Sequence, residues 1–173
     1  PVFSIEKLYV KDLSLEIPYA PQIFLERDAP QIDVQLHHSS QQIEPSIYQT
    51  ILSVTVTAKV GEKTMFLVEV AQAGIFIIRN VPQADIEQIL GISCPNILYP
   101  YAREVVSDVI NRATFPPLVL NPESPSSMMT TVGGAAGVDT VPCNVSVNGF
   151  ALASLVAKET RTWQLSRMAL FGP

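Results

Sequence analysis

The chain is short of charge, of cysteine and of histidine, and each shortage closes off a class of function. Charged residues make up 16% of its 173 residues, against about 25% in an average soluble domain. The 11 lysines and arginines are nowhere clustered. A surface that tracks phosphates needs such a cluster, so nucleic acid is not an expected partner. Two cysteines, Cys94 and Cys143, stand far apart in the chain. They form neither a CxxC pair nor a disulfide framework, and a reducing compartment is the expected setting. The two histidines, His37 and His38, are adjacent. On a strand they face opposite ways, so at most one can join any site. No run of about 18 apolar residues is present to span a membrane. Pro1-Val2-Phe3-Ser4 leads straight into strand-like residues and does not read as a signal peptide.

Apolar residues fill the gap left by charge, at 47% of the chain. That supports one domain with a real core, and leaves apolar surface for association. The net charge of −5 suits a basic partner or a basic polypeptide.

Periodicity divides the chain into a strand-rich part, a helix and a tail. Over residues 2–17 the alternation changes phase. Val2, Ser4, Leu8 and Val10 read to one side, Leu13, Leu15 and Ile17 to the other, which predicts a bulge or a strand covered on both faces. Residues 31–38 alternate through Ile32, Val34 and Leu36. Residues 47–60 alternate best, and the turn signal Gly61-Glu62-Lys63 joins them to a return strand over 64–78. Gly74 predicts a bulge or bend in it. A short helix over 83–90 is expected to close at Gly91. The next helix is expected to begin at Pro100, with Tyr101, Val105 and Val109 along its apolar side. Pro95 is expected to hold Cys94 extended, and Phe115-Pro116-Pro117 to stop the helix. From Asn121 the chain turns rich in Ser, Pro, Thr and Gly and reads as a flexible linker. Residues 150–171 carry a modest helical pattern.

Chemistry-bearing groups do not converge. Cys94 as a nucleophile with His37 or His38 would make a small hydrolase, but a free cysteine is more often a small buried hydrophobe. Val132-Gly133-Gly134-Ala135-Ala136-Gly137 lacks the order of a phosphate loop. Asn144-Val145-Ser146 is a glycosylation triplet that matters only in a secreted chain. Asp12 and Glu16 share a strand face with Ser14, and Glu69 sits within an apolar strand beside Leu67. These carboxylates read either as ordinary solvent-facing sheet or as an acidic-apolar docking surface for a basic partner.

Three blocks carry a resemblance: Ile5–Phe24 (IEKLYVKDLSLEIPYAPQIF), Val54–Phe76 (VTVTAKVGEKTMFLVEVAQAGIF) and Cys94–Pro116 (CPNILYPYAREVVSDVINRATFP). In order and spacing they resemble the SecB family of bacterial protein-export chaperones, over residues 1–122. The resemblance implies an α+β fold, a four-stranded antiparallel sheet packed with one long helix, assembling as a homotetramer that is a dimer of dimers. It implies a cytoplasmic holdase, not an enzyme, that needs no cofactor and does not insert into the membrane. Its partners would be unfolded precursor proteins and the translocase motor SecA. Asp12, Glu16, Leu67 and Glu69 match the family's SecA-docking surface. Phe24, Ile32, Val34, Leu36, Ile97 and Tyr99 are expected to line a groove for unfolded polypeptide. Tyr101, Val105 and Val109 are expected at the oligomer interface. A variant of the same reading is a SecB-like chaperone dedicated to one client, such as an antitoxin. Residues 123–173 depart from the family, whose second helix is replaced by a divergent tail foreign to the fold.

Overall fold

In the computed structural model, residues 1–121 and 141–143 are described. Four long strands form one antiparallel sheet: β1 (Val2–Glu16), β2 (Gln31–Glu44), β3 (Ile47–Val60) and β4 (Lys63–Arg79). A three-residue strand, β5 (Val141–Cys143), adds to the edge of β2, and the order across the sheet is β1-β4-β3-β2-β5. Two helices follow β4: α1 (Gln83–Gln88) and α2 (Cys94–Arg112), joined by a π turn over Ile89–Ser93. The expected four-stranded sheet and long helix are thus present, and β3 spans the residues whose alternation marks it. The expected linker beyond Asn121, the Val132–Gly137 glycine run, the glycosylation triplet and the helical pattern over 150–171 lie outside the described residues.

The hairpins follow from their turns. Gly61, with φ +57°, opens the two-residue connection between β3 and β4; glycine enters that left-handed region without strain. Period-2 alternation then gives the sheet two unlike faces. On one face Val54 and Val56 of β3 stand beside Val70 and Val68 of β4, all buried. Helix α2 lies on this face and presses Leu98, Ala102, Val106 and Ile110 into it. The other face is open.

The phase change in β1 has a specific cause. The ladder with β4 shifts between Ile5 and Lys7 and again between Val10 and Asp12. Glu6 and Lys11 are the extra residues, and each bulge flips the parity of the strand. Phe3, Ile5, Leu8, Val10, Leu13 and Leu15 consequently sit opposite Ile78, Phe76, Gly74, Gln72, Val70 and Val68, all on the helix side. One bulge was expected and there are two. Val2 and Ser4, expected beside Leu8 and Val10, pair instead with Arg79 and Ile77 on the open side.

Four local expectations change. Gly74 makes no bulge: the ladders run through it to Leu8 and Thr50. It is small because the Phe76 ring folds back over it. A Cβ there would lie 2.7 Å from Phe76 Cε2 and 3.0 Å from Leu98 Cδ2. Gly91 does not end the first helix, because the backbone continues through the π turn into α2. A regular α turn would set the Pro95 ring against the carbonyl four residues back; the wider π turn falls just there. Cys94 is not extended: at φ −65°, ψ −48° it is helical. Helix α2 starts at Cys94 with Pro95 in its first turn, and Pro100 lies inside it. The bias of a residue before proline toward extended backbone yields to packing, since Cys94, Pro95, Leu98 and Tyr99 are all buried. Beyond Arg112, Thr114 takes φ 64° and the helix ends.

Candidate functional site

The open face of the sheet holds one set of expected residues together. In the β1–β4 ladder Glu16 stands opposite Leu67, Ser14 opposite Glu69 and Asp12 opposite Ala71. Paired residues share a face, so these six side chains form a patch about 5 Å across the strands, with steps of about 7 Å along them. β3 extends the patch with Thr57, Thr55 and Ser53, and β2 with Asp33, Gln35 and His37. Among the described residues the ion pairs are Lys63–Glu26 at 3.1 Å and Arg112–Asp108 at 2.8 Å. Asp12, Glu16, Asp33 and Glu69 are in neither, so the patch holds acidic charge without an internal cation. Asp12 Oδ1 does accept a bond from the Leu13 N–H at 3.0 Å, and Asp33 accepts one from Gln35. Further along the same face the character turns apolar. Ile43, Ile47, Ile75 and Ile77, with Glu6, Lys7 and Glu44, line an open hollow of about 410 Å³.

The six residues expected to line a polypeptide groove divide between core and surface. Val34 and Leu36 are buried under the helix side of the sheet. Tyr99 is buried too, its hydroxyl donating to the Asn121 carbonyl at 2.7 Å. Ile32 and Ile97 are half-buried against the core cluster. Phe24 is 46% exposed. It sits on the 3₁₀ turn Gln22–Leu25 and stacks on Phe115 at 5.2 Å, which in turn meets Phe66 at 4.8 Å. Phe24 is therefore the outer end of an aromatic row rooted in the core. Beside it in the chain Tyr19 and Leu25 are also exposed, Leu25 at 80%. Neither was named from the sequence.

Of the three residues expected at an oligomer interface, Val109 is buried against the sheet, Val105 is half-buried and Tyr101 is half exposed on the outer flank of α2. Sequence reasoning missed a larger feature. Helix α2 packs over β4 and β3. Phe3, Ile5, Val10 and Leu13 of β1 point to the same side and stay exposed. β1 is also a sheet edge with an open ladder. The doubled bulge hid this stripe from a parity count.

Cys94 is fully buried and free. Burial pushes its thiol up to about 11, against a smaller opposing pull from a bond with Thr50. The thiolate that a nucleophile requires is therefore scarce at neutral pH. No group of three or more His, Cys, Asp or Glu is placed to hold a metal among the described residues. No helix among them is long and apolar enough to cross a membrane.

Residues 1–126 match the family model described as preprotein translocase subunit SecB. The protein-export protein SecB of Methylobacillus flagellatus is 63% identical over 122 residues, covering 70% of this chain and 78% of that one. That of Chromobacterium violaceum is also 63% identical, covering 70% and 81%. Among solved structures, a SecB-like chaperone of Mycobacterium tuberculosis, in complex with a peptide from an antitoxin, superposes with a TM-score of 0.58. Its identity is 18%, over 70% of this chain and 91% of that chain. At that identity the likeness is one of fold.

Proposed function

The chain belongs to the SecB family, and we infer that it works as a protein-export chaperone, a holdase for unfolded precursors. A holdase binds the unfolded state and draws the folding equilibrium toward it. It needs apolar surface that a varied chain can enter, and a second surface through which the cargo is passed on.

The observation that carries this reading is the unpaired acidic patch on the open face, with Leu67 between its carboxylates. Asp12, Glu16 and Glu69 offer charge to a basic partner, and Leu67 offers a small apolar anchor. We assign this patch to docking of SecA. The client surface lies on the opposite side, at the crossover. There Phe24, Ile32 and Ile97 meet the unfolded chain, and Val34, Leu36 and Tyr99 form the floor beneath them. Residues 1–122 are the chaperone domain, and residues 123–173 are an extension to it that returns to the sheet at Val141–Cys143. The working form is a cytoplasmic homotetramer, a dimer of dimers. Tyr101 and Val105 contribute to its contacts, Val109 supports them from within, and the exposed β1 stripe is supported as a further contact by its apolar area and open ladder.

Capture of purified SecA tests the reading. Strong, salt-sensitive capture that is lost in Glu16→Lys/Glu69→Lys supports it. No capture at low salt overturns it in favour of a chaperone dedicated to one client. A Cys94→Ala variant that keeps full holdase activity removes the hydrolase reading.

A further inference from the structure

The outer edge of β2 is a template for any extended chain that can offer backbone partners, and part of it is already taken. Val141, Pro142 and Cys143 pair antiparallel with Leu36, Gln35 and Val34. The contact therefore falls on the β2 stretch that carries two of the groove residues assigned above, Val34 and Leu36. β2 itself runs from Gln31 to Glu44, so β5 covers only part of its first half. From Cys143 onward the sequence Cys143-Asn144-Val145-Ser146-Val147 alternates apolar and polar residues. That is the pattern an extended segment needs against a half-buried edge.

A three-residue strand makes a poor permanent edge. Pro142 has no N–H to give. The few bonds that remain each add little net stability, because they replace bonds to water. What favours β5 is its tether: being on the same chain gives it a high effective concentration at β2 without strong contacts. An occupant that is weak in contacts and strong in proximity yields to a ligand that is longer and better paired.

We propose that residues 141–143 are a tethered competitor, which occupies the polypeptide-binding edge of β2 and is displaced when an unfolded client pairs there. This rests on the groove reading under Proposed function and adds a regulator to it. Apparent affinity for a client is reduced by the fraction of time the edge is free. If the edge is free about one tenth of the time, client binding is weakened about tenfold.

The test is made in the full chain. Gln35→Cys/Pro142→Cys, with Cys143→Ser to remove a competing thiol, places two cysteines at paired positions. The probe is a fluorescently labelled, reduced and alkylated polypeptide that cannot fold. Oxidation is expected to link the two strands, as read by peptide mapping, and to weaken capture of the probe at least tenfold, with reductant restoring it. Val141→Asp/Cys143→Asp, which loosens β5, is expected to tighten capture several-fold. If no link forms and the loosened variant captures the probe as the parent does, the competitor is overturned and the groove reading stands. If the link forms and capture is unchanged, clients do not use this edge; the groove reading fails there and the competitor fails with it.

Discussion

The two faces of the sheet are built from the same strands and obey different rules. On β4, Val68 and Val70 point under helix α2 and are fully buried, while their neighbours Leu67, Glu69 and Ala71 point outward. The covered face is filled by shape: Phe66 meets Phe115, and Phe76 folds over Gly74. Around Glu69 the open face is filled by charge and small polar groups, with Ser53, Thr55 and Thr57 beside it. One face therefore holds the fold and the other is free to meet a partner. A substitution one residue along a strand should move between these regimes, and that contrast can be tested directly.

The widest gap is expected between Phe66→Ala and Leu67→Ala. Phe66 is buried and packed on an aromatic ring, so its truncation should cost about 3–5 kcal/mol. Leu67, on the open face, should cost less than about 1 kcal/mol. Denaturant unfolding of both variants measures this, and equal losses would break the distinction. A smaller gap is expected between Gly74→Val and Ala71→Val. The first drives a side chain into Phe76 and Leu98 and should cost about 1–3 kcal/mol; the second enlarges a residue on the open side and should change the melting temperature little.

Smaller still is a pH effect on the covered side. Burial, and then the charge on His37, lower the pKa of His38 below its ordinary 6.5. As pH falls below about 6.5 the unfolded chain takes up a proton that the folded chain refuses. Stability present at neutral pH is then lost as pH drops through the folded value. His38→Asn should flatten this decline in thermal unfolding between pH 7 and 5, and an unchanged slope would remove the assignment. The smallest effect is expected at Gln72, whose Oε1 is buried without a hydrogen-bond partner among the described residues. Gln72→Leu removes an uncompensated polar atom from the covered face, so it should leave stability within about 1 kcal/mol of the parent or raise it. A large loss would mean that this oxygen has a partner in the assembled protein.

The sequence made strands legible where one face is buried along the whole strand. β3 is the clear case, with Leu52, Val54, Val56 and Ala58 inward and small polar residues outward. It was less legible where two short-range rules compete. Pro95 and Pro100 read as punctuation, yet the helix runs through both, because Leu98 and Tyr99 are wanted in the core. Parity counting failed at β1 because it cannot see a bulge's partner strand. Of the candidate surfaces, the open-face patch was visible as Asp12, Ser14 and Glu16 at every second position. Its assembly with Leu67 and Glu69 needed the cross-strand register. Exposed Tyr19 and Leu25 were not visible, since no period governs a crossover.

The bulges in β1 have a consequence for shape. Fifteen residues of β1 are bonded to thirteen of β4. Two ribbons of unequal length, fixed together along their whole run, cannot stay flat; the longer one curls the pair. A straight, uncurved ribbon laid along this border would match it at one end and drift away at the other. A ribbon with the same surplus and the same curl would keep contact from end to end.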